Sequence, residues 1–95
     1  MGRGQKKSRT LKVATIVLTK QAEKSFLKLP KSAQKKISKA IDKLIQNPLM
    51  GEKLKGEFEG QYKIYAWPYR VIYIFSAIDS IVTVVEIEHR QGAYK

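Results

Sequence analysis

KSAQKKISKAIDKLIQ, the stretch from Lys31 to Gln46, decides how the rest of this chain is read. Ala33, Ile37, Ala40, Ile41, Leu44 and Ile45 recur at the 3.6-residue period of an amphipathic helix. Asn47-Pro48 then stops it, because a proline drives the residue before it out of the helical region. Upstream, Val13–Leu18 is rich in β-branched residues and ends at Thr19, a good N-cap, so a strand is expected to hand over to a helix from about Lys20 to Leu29. Ala22, Phe26 and Leu29 of that helix share one face, and Pro30 separates it from the next, which gives a helix hairpin. Downstream, Leu49–Gln61 carries Gly51, Gly56 and Gly60 with Glu52, Glu57 and Glu59 and no sustained period, and it reads as a connecting loop. Tyr62–Ala66, Tyr69–Phe75 and Ile81–Glu88 are aromatic or β-branched segments separated by Trp67-Pro68 and Ala77–Ser80, the spacing of an antiparallel meander. The expected fold is α+β in the order β-α-α-β-β-β, with two helices on one face of a small twisted sheet and the opposite face left open.

Composition bounds the function. A chain of 95 residues with 43% hydrophobic content can build one modest core, so residues 13–95 are expected to form a single domain. Met1–Lys12, with Arg3, Lys6, Lys7, Arg9 and Lys12 and no acid, is expected to be a flexible basic arm. The longest apolar runs, Val13–Leu18 and Val71–Ile78, fall far short of the roughly 20 residues that span a bilayer, and no signal-peptide pattern is present. A soluble, cytoplasmic protein without a membrane partner is expected. The absence of cysteine excludes disulfides and thiolate metal sites. His89 is the only histidine, and no acids gather around it beyond Glu86 and Glu88, so neither a metal nor another cofactor is expected. The net charge of +11, from 19 basic and 8 acidic residues, is costly in self-repulsion unless a polyanion shares the field. Nucleic acid, an acidic protein and an anionic membrane surface all satisfy that requirement.

The basic residues fall into two groups. Lys28, Lys31, Lys35, Lys36, Lys39 and Lys43 lie mainly off the apolar stripe, and Lys35, Lys39 and Lys43 form a ladder at i, i+4 and i+8 that repels itself without counter-charges. It is either a phosphate-tracking surface or an ordinary solvated face. Lys55 in the glycine-rich segment and Trp67 at the meander turn are further candidates for RNA contact, Trp67 by base stacking or else by simple packing. In the meander, Tyr69, Val71, Tyr73 and Phe75 should face one side and Arg70, Ile72 and Ile74 the other. In the last strand Val82, Val84, Glu86, Glu88 and Arg90 share one parity, while Thr83, Val85, Ile87 and His89 share the other, so Arg90 and His89 diverge. Lys63 and Tyr65 share a face, and Tyr94 follows Arg90 by four positions.

Such a basic, aromatic cluster suits metal-free cleavage of RNA. The 2′-hydroxyl supplies the nucleophile, arginine can hold the non-bridging oxygens of the pentacovalent transition state, and an aromatic ring can stack on an unpaired base. Lysine titrates near ~10.4 and tyrosine near ~10 when unperturbed, so a proton acceptor from either requires clustered cations to lower it. Arg70 has a plainer alternative as the cross-strand partner of Glu86 or Glu88.

Leu29-Pro30 followed by the lysine helix, Leu54-Lys55-Gly56, Tyr62-Lys63-Ile64, Tyr69-Arg70-Val71-Ile72-Tyr73, and His89-Arg90 followed by Tyr94 together resemble the RelE/ParE toxin superfamily over about residues 13 to 95. For RelE-like members the resemblance implies a toxin of a type II toxin-antitoxin system that enters the ribosomal A site and cuts mRNA. It also implies a cognate antitoxin, expected to be acidic, and contact with operator DNA only through the antitoxin complex. Carried over by position, Arg70 corresponds to the transition-state arginine, Arg90 to the second arginine near the scissile phosphate, Tyr94 to the C-terminal tyrosine and Lys63 to the first lysine of the sheet. The family's second lysine falls at Tyr65, and the turn before Tyr69 is shorter and carries Trp67-Pro68. Some relatives use a histidine near the place of His89 as a proton donor, a role that its ordinary pKa near ~6.5 suits. The same resemblance extends to a ParE-like inhibitor of DNA gyrase without nuclease chemistry, and the charge alone also admits a non-enzymatic nucleic-acid-binding protein.

Overall fold

The computed structural model of the chain describes residues 14–89; the basic arm, Arg90 and Tyr94 lie outside the described residues. In chain order these form β1 (Thr15–Leu18), α1 (Lys20–Leu27), α2 (Lys31–Gln46), β2 (Glu52–Lys53), a 3₁₀ turn (Gly56–Phe58), β3 (Tyr62–Ala66), β4 (Tyr69–Ser76) and β5 (Ile81–His89). Thr19 caps α1 as its residue type suggests: its Oγ1 accepts from the Ala22 backbone N–H at 3.1 Å. The same hydroxyl donates to the Val85 carbonyl at 2.9 Å, so the cap also fastens α1 to β5. α1 closes at Leu27, two residues short of the expected Leu29. Gln34 on α2 donates to the carbonyls of Phe26 and Leu29 at 3.0 and 3.2 Å, which ties the end of α1 to the start of α2.

The strands make one mixed sheet in the order β1-β5-β4-β3-β2. β3, β4 and β5 form the expected antiparallel meander, and β1 joins it by parallel pairing with β5 from Thr15↔Ile81 to Leu18↔Val84. The segment read as a connecting loop contributes β2, which pairs antiparallel with β3 through Glu52↔Lys63 and Lys53↔Tyr62. A strand of two exposed polar residues carries no alternation for a sequence to display; its place is set by β3 and by the Leu54 N–H donated to the Gln61 carbonyl at 2.9 Å.

Both helices cover one face of this sheet. Ala22, Ile37 and Leu44 meet Val71, Tyr73, Val82 and Val84, all fully buried. The Tyr73 hydroxyl donates to the Pro48 carbonyl at 2.8 Å and accepts from the Gly51 N–H at 3.0 Å, which ties the segment after α2 to the centre of the sheet. Gly51 permits that approach: a Cβ there would lie 2.6 Å from the Tyr73 hydroxyl and 2.7 Å from the Lys63 carbonyl oxygen. No helix among the described residues is long and apolar enough to cross a membrane.

Alternation along β4 follows the expected faces, but β5 departs from them. The register steps from Ile72↔Glu86 to Tyr73↔Val84, leaving Val85 opposite no residue of β4. This bulge reverses the parity beyond it. Ile87 is buried with Val82 and Val84, while Glu86 and Glu88 turn to the open face, not to the side of Val82 and Val84 that strict alternation gives.

Candidate functional site

The open face gathers Lys63 and Tyr65 from β3, Arg70 and Ile72 from β4, and Glu86 and Glu88 from β5. Register sets their neighbours: Arg70 lies between Tyr65 and Glu88, and Ile72 between Lys63 and Glu86. Arg70 Nη2 donates to Glu88 Oε1 at 2.8 Å, with both side chains about a quarter exposed, so the cross-strand partner of Arg70 is Glu88. Arg70 Nε is buried and has no hydrogen-bond partner among the described residues. Lys63 Nζ stands 3.6 Å from Glu52 Oε1 and 5.5 Å from the centre of the Tyr65 ring. Leu54, Phe58 and Gln61 close these groups into a shallow cleft of about 270 Å³. Phe58 and Tyr65 each leave about half their surface to solvent and offer aromatic faces beside it.

The electrostatics differ from a simple basic patch. A hydrogen bond to the Tyr65 side chain, with the charge of Glu52, holds the Lys63 ammonium above its usual pKa; partial burial and Arg70 oppose this but do not prevail. The lowering that a neighbouring cation produces is therefore outweighed at Lys63, by Tyr65 and then by the acid beside it. Burial and the neighbouring Glu88 push the Glu86 carboxyl above its usual range, against a smaller pull from Arg70. Two cations, Lys63 and Arg70, face three carboxylates, Glu52, Glu86 and Glu88.

The other candidates lie elsewhere. His89 pairs with Tyr69 and packs edge-on to its ring at 5.1 Å, on the helix side of the sheet and away from Arg70. Lys31, Lys35 and Lys39 line a groove of about 450 Å³ with Phe26 of α1, and Lys43 is exposed farther along α2. Since α2 covers the sheet face opposite Arg70, the lysine ladder and the cleft are separated by the sheet. Trp67, largely exposed, sits at the β3–β4 turn, where its carbonyl accepts from Lys36 Nζ at 3.2 Å and its bond to Pro68 is cis. Lys55 lines a neighbouring hollow of about 470 Å³ that shares Leu54 and Gln61 with the cleft. Phe58 and Gln61 are cleft residues that the sequence does not single out, and Glu86 is marked there only as a possible partner of Arg70. Phe58 had a signal, a lone aromatic within a polar, glycine-rich stretch; the side taken by Glu86 had none, because the bulge that turns it is silent in the sequence.

Comparison with known proteins agrees with this architecture. The family described as the ParE toxin of type II toxin-antitoxin system, parDE, matches residues 16–94. The candidate toxin RelE1 of Methanocaldococcus jannaschii is 34% identical over 85 residues, covering 84% of this chain and 93% of that protein. A chain of the toxin-antitoxin complex RelBE2 from Mycobacterium tuberculosis superposes with a TM-score of 0.76 at 25% identity, over 82% of this chain and 99% of that one. The isolated RelE toxin of E. coli shares the fold with a TM-score of 0.71 at 22% identity, over 80% of this chain and 83% of that one. A two-helix layer on a five-stranded sheet, with a tyrosine–arginine strand at its open face, thus sits among these proteins in sequence and in shape, and the chain belongs to the ParE toxin family of type II toxin-antitoxin systems, within the RelE/ParE superfamily.

Proposed function

We propose that this toxin is a metal-independent endoribonuclease that cuts mRNA at the ribosomal A site. The observation that carries the reading is Arg70, a half-buried guanidinium on the open sheet face with Lys63 beside it and two exposed aromatic rings at the rim. Arginine and an ammonium held protonated are the donors that a pentacovalent phosphorane needs, and Tyr65 and Phe58 can stack on the flanking bases. For Arg90 and Tyr94, outside the described residues, the resemblance supports the roles of second phosphate ligand and orienting ring. His89, at the end of β5, would serve as proton donor only by reaching round from the helix side. Lys31, Lys35, Lys39 and Lys43, across the sheet from the cleft, engage ribosomal RNA, while Lys55 and Trp67 extend the contact at the rim. The net charge of +11 supports a polyanionic partner of this kind.

A cognate acidic antitoxin is the natural inhibitor. Structures of RelBE2 from Mycobacterium tuberculosis and of a RelE-RelB complex from Pyrococcus horikoshii are toxin-antitoxin complexes, and the basic surface here calls for an acidic partner. Operator DNA would be met only through that complex, in the cytoplasm. The test is primer extension on mRNA in a purified translation system, comparing the wild type with Arg70→Ala and Arg90→Ala. Discrete cuts within codons that vanish in both variants are expected. A second reading, inhibition of DNA gyrase without nuclease chemistry, draws on the neutralisation of Arg70 by Glu88 and on the ParE family match. It predicts no cuts from folded wild type and a loss of supercoiling instead.

A further inference from the structure

Metal-free cleavage needs a group to take the 2′-hydroxyl proton, and neither Lys63 nor Glu88 is placed to serve as one in the free chain. Lys63 is held as the ammonium by Tyr65 and Glu52. Glu88 pairs with Arg70 in the free chain through a 2.8 Å bond, which sets it against the guanidinium first and a 2′-hydroxyl second. Glu86 differs from both. The bulge at Val85 turns its side chain from the core side to the open face, where it lines the same cleft as Arg70 and Lys63. Bulges next to active sites commonly re-aim a side chain in this way. Its carboxylate has no hydrogen bond or ion pair among the described residues, so both oxygens are available to a ligand.

We propose that Glu86 is the general base of this toxin, accepting the proton of the RNA 2′-hydroxyl, with the Lys63 ammonium as the matching proton donor. The inference rests on the ribonuclease reading above. In the step, the 2′-oxygen gives its proton to the Glu86 carboxylate and forms a bond to phosphorus. The bond from phosphorus to the 5′-oxygen breaks, and that oxygen takes a proton from Lys63. The products are a 2′,3′-cyclic phosphate and a 5′-hydroxyl; Glu86 then loses its proton to water and Lys63 regains one, so the enzyme returns unchanged. Arg70 stabilises the charge on the non-bridging oxygens meanwhile. The burial and the Glu88 charge that raise Glu86 bring it nearer to working pH, which strengthens a carboxylate as a base, while Lys63 is kept protonated and can donate. The charged groups facing Glu86 are Glu88 on its own strand, Arg70 on β4, Lys63 on β3 and, through Lys63, Glu52 on β2.

The experiment measures single-turnover cleavage of ribosome-bound mRNA from pH 4 to pH 8 for wild type, Glu86→Gln and Glu86→Asp, with binding of a 2′-O-methylated, uncleavable RNA measured in parallel. Glu86→Gln should slow cleavage at pH 7 by about 100-fold or more, the usual contribution of a general base. Its RNA binding should not weaken, since a negative charge has been removed, and Glu86→Asp should recover part of the rate. The wild-type rate should fall on the acid side as Glu86 is protonated, and that limb should be missing in Glu86→Gln. Cleavage by Glu86→Gln within about threefold of wild type, or a wild-type profile with no acid limb, overturns the proposal; the second readout stands even if the variant fails to fold. Absence of any cut by folded wild type overturns the ribonuclease reading itself, and is told apart because it needs no variant.

Discussion

Glu88→Gln separates the two demands on Arg70. In the free chain the guanidinium is tied to Glu88 at 2.8 Å, with the side chains 23% and 27% exposed. A charge-assisted hydrogen bond contributes about 1.5–3 kcal/mol where water is excluded. Partial exposure draws this toward the lower end, and the amide keeps a neutral acceptor, so about 1–2 kcal/mol is lost. Arg70 must loosen the same bond to grip a phosphate. The substitution should therefore tighten binding of single-stranded RNA by about 5- to 30-fold, at 1.4 kcal/mol per factor of ten. The fold should lose stability of similar size, because the bond that restrains Arg70 also joins β4 to β5. Fluorescence anisotropy on a 2′-O-methylated RNA at several salt concentrations measures the first effect, and urea unfolding the second. A folded Glu88→Gln that binds RNA no better than wild type would refute the idea that Glu88 competes with phosphate for Arg70.

Other consequences are equally direct. Gly51→Ala sets a methyl 2.6 Å from the Tyr73 hydroxyl and 2.7 Å from a backbone oxygen, and should cost about 1–3 kcal/mol in urea unfolding, as overpacking does. Glu86→Gln should change the pH dependence of stability. The folded carboxyl titrates above its unfolded value, so Glu86 favours the fold at low pH and loses that benefit as pH rises through its folded pKa. Thermal unfolding should thus find the variant more stable than wild type at pH 7, with the advantage gone below about pH 4. Replacing both Lys35 and Lys39 by alanine should lower the salt dependence of ribosome binding by about two phosphate contacts while the cleavage positions stay the same; unchanged salt dependence would show a merely solvated helix face.

The parts of this fold that a sequence can display are those where burial leaves a period. α2 is marked by Ile37, Ile41 and Leu44, and β4 by the alternation of Val71, Tyr73 and Phe75 with Arg70 and Ile72. The bulge leaves no mark. Ile81-Val82-Thr83-Val84-Val85 is β-branched throughout, so both registers look alike, and the choice falls to Tyr73 packing opposite Val84. Hence Arg70 could be given two acidic partners but not one, and Glu86 could not be told from Glu88 in its place on the cleft. The cations of the site were legible as residue types. Their acids were not, since the Lys63–Glu52 contact depends on a strand two residues long. The parallel seat of β1 beside β5 was equally hidden, because chain order does not fix which strands become neighbours.

That seat bears on how the protein is made. β1 draws its sheet hydrogen bonds from β5, and the cap of α1 reaches Val85 across 66 residues of sequence. Synthesis runs from β1 toward β5, so the first strand and first helix emerge long before the surface that holds them, and contacts this distant in sequence form late. The Arg70 face is also incomplete until Glu86 and Glu88 arrive with the same strand. A half-made copy therefore carries its lysines into the cell without a cleft, and translation itself sets the earliest moment at which the toxin can act.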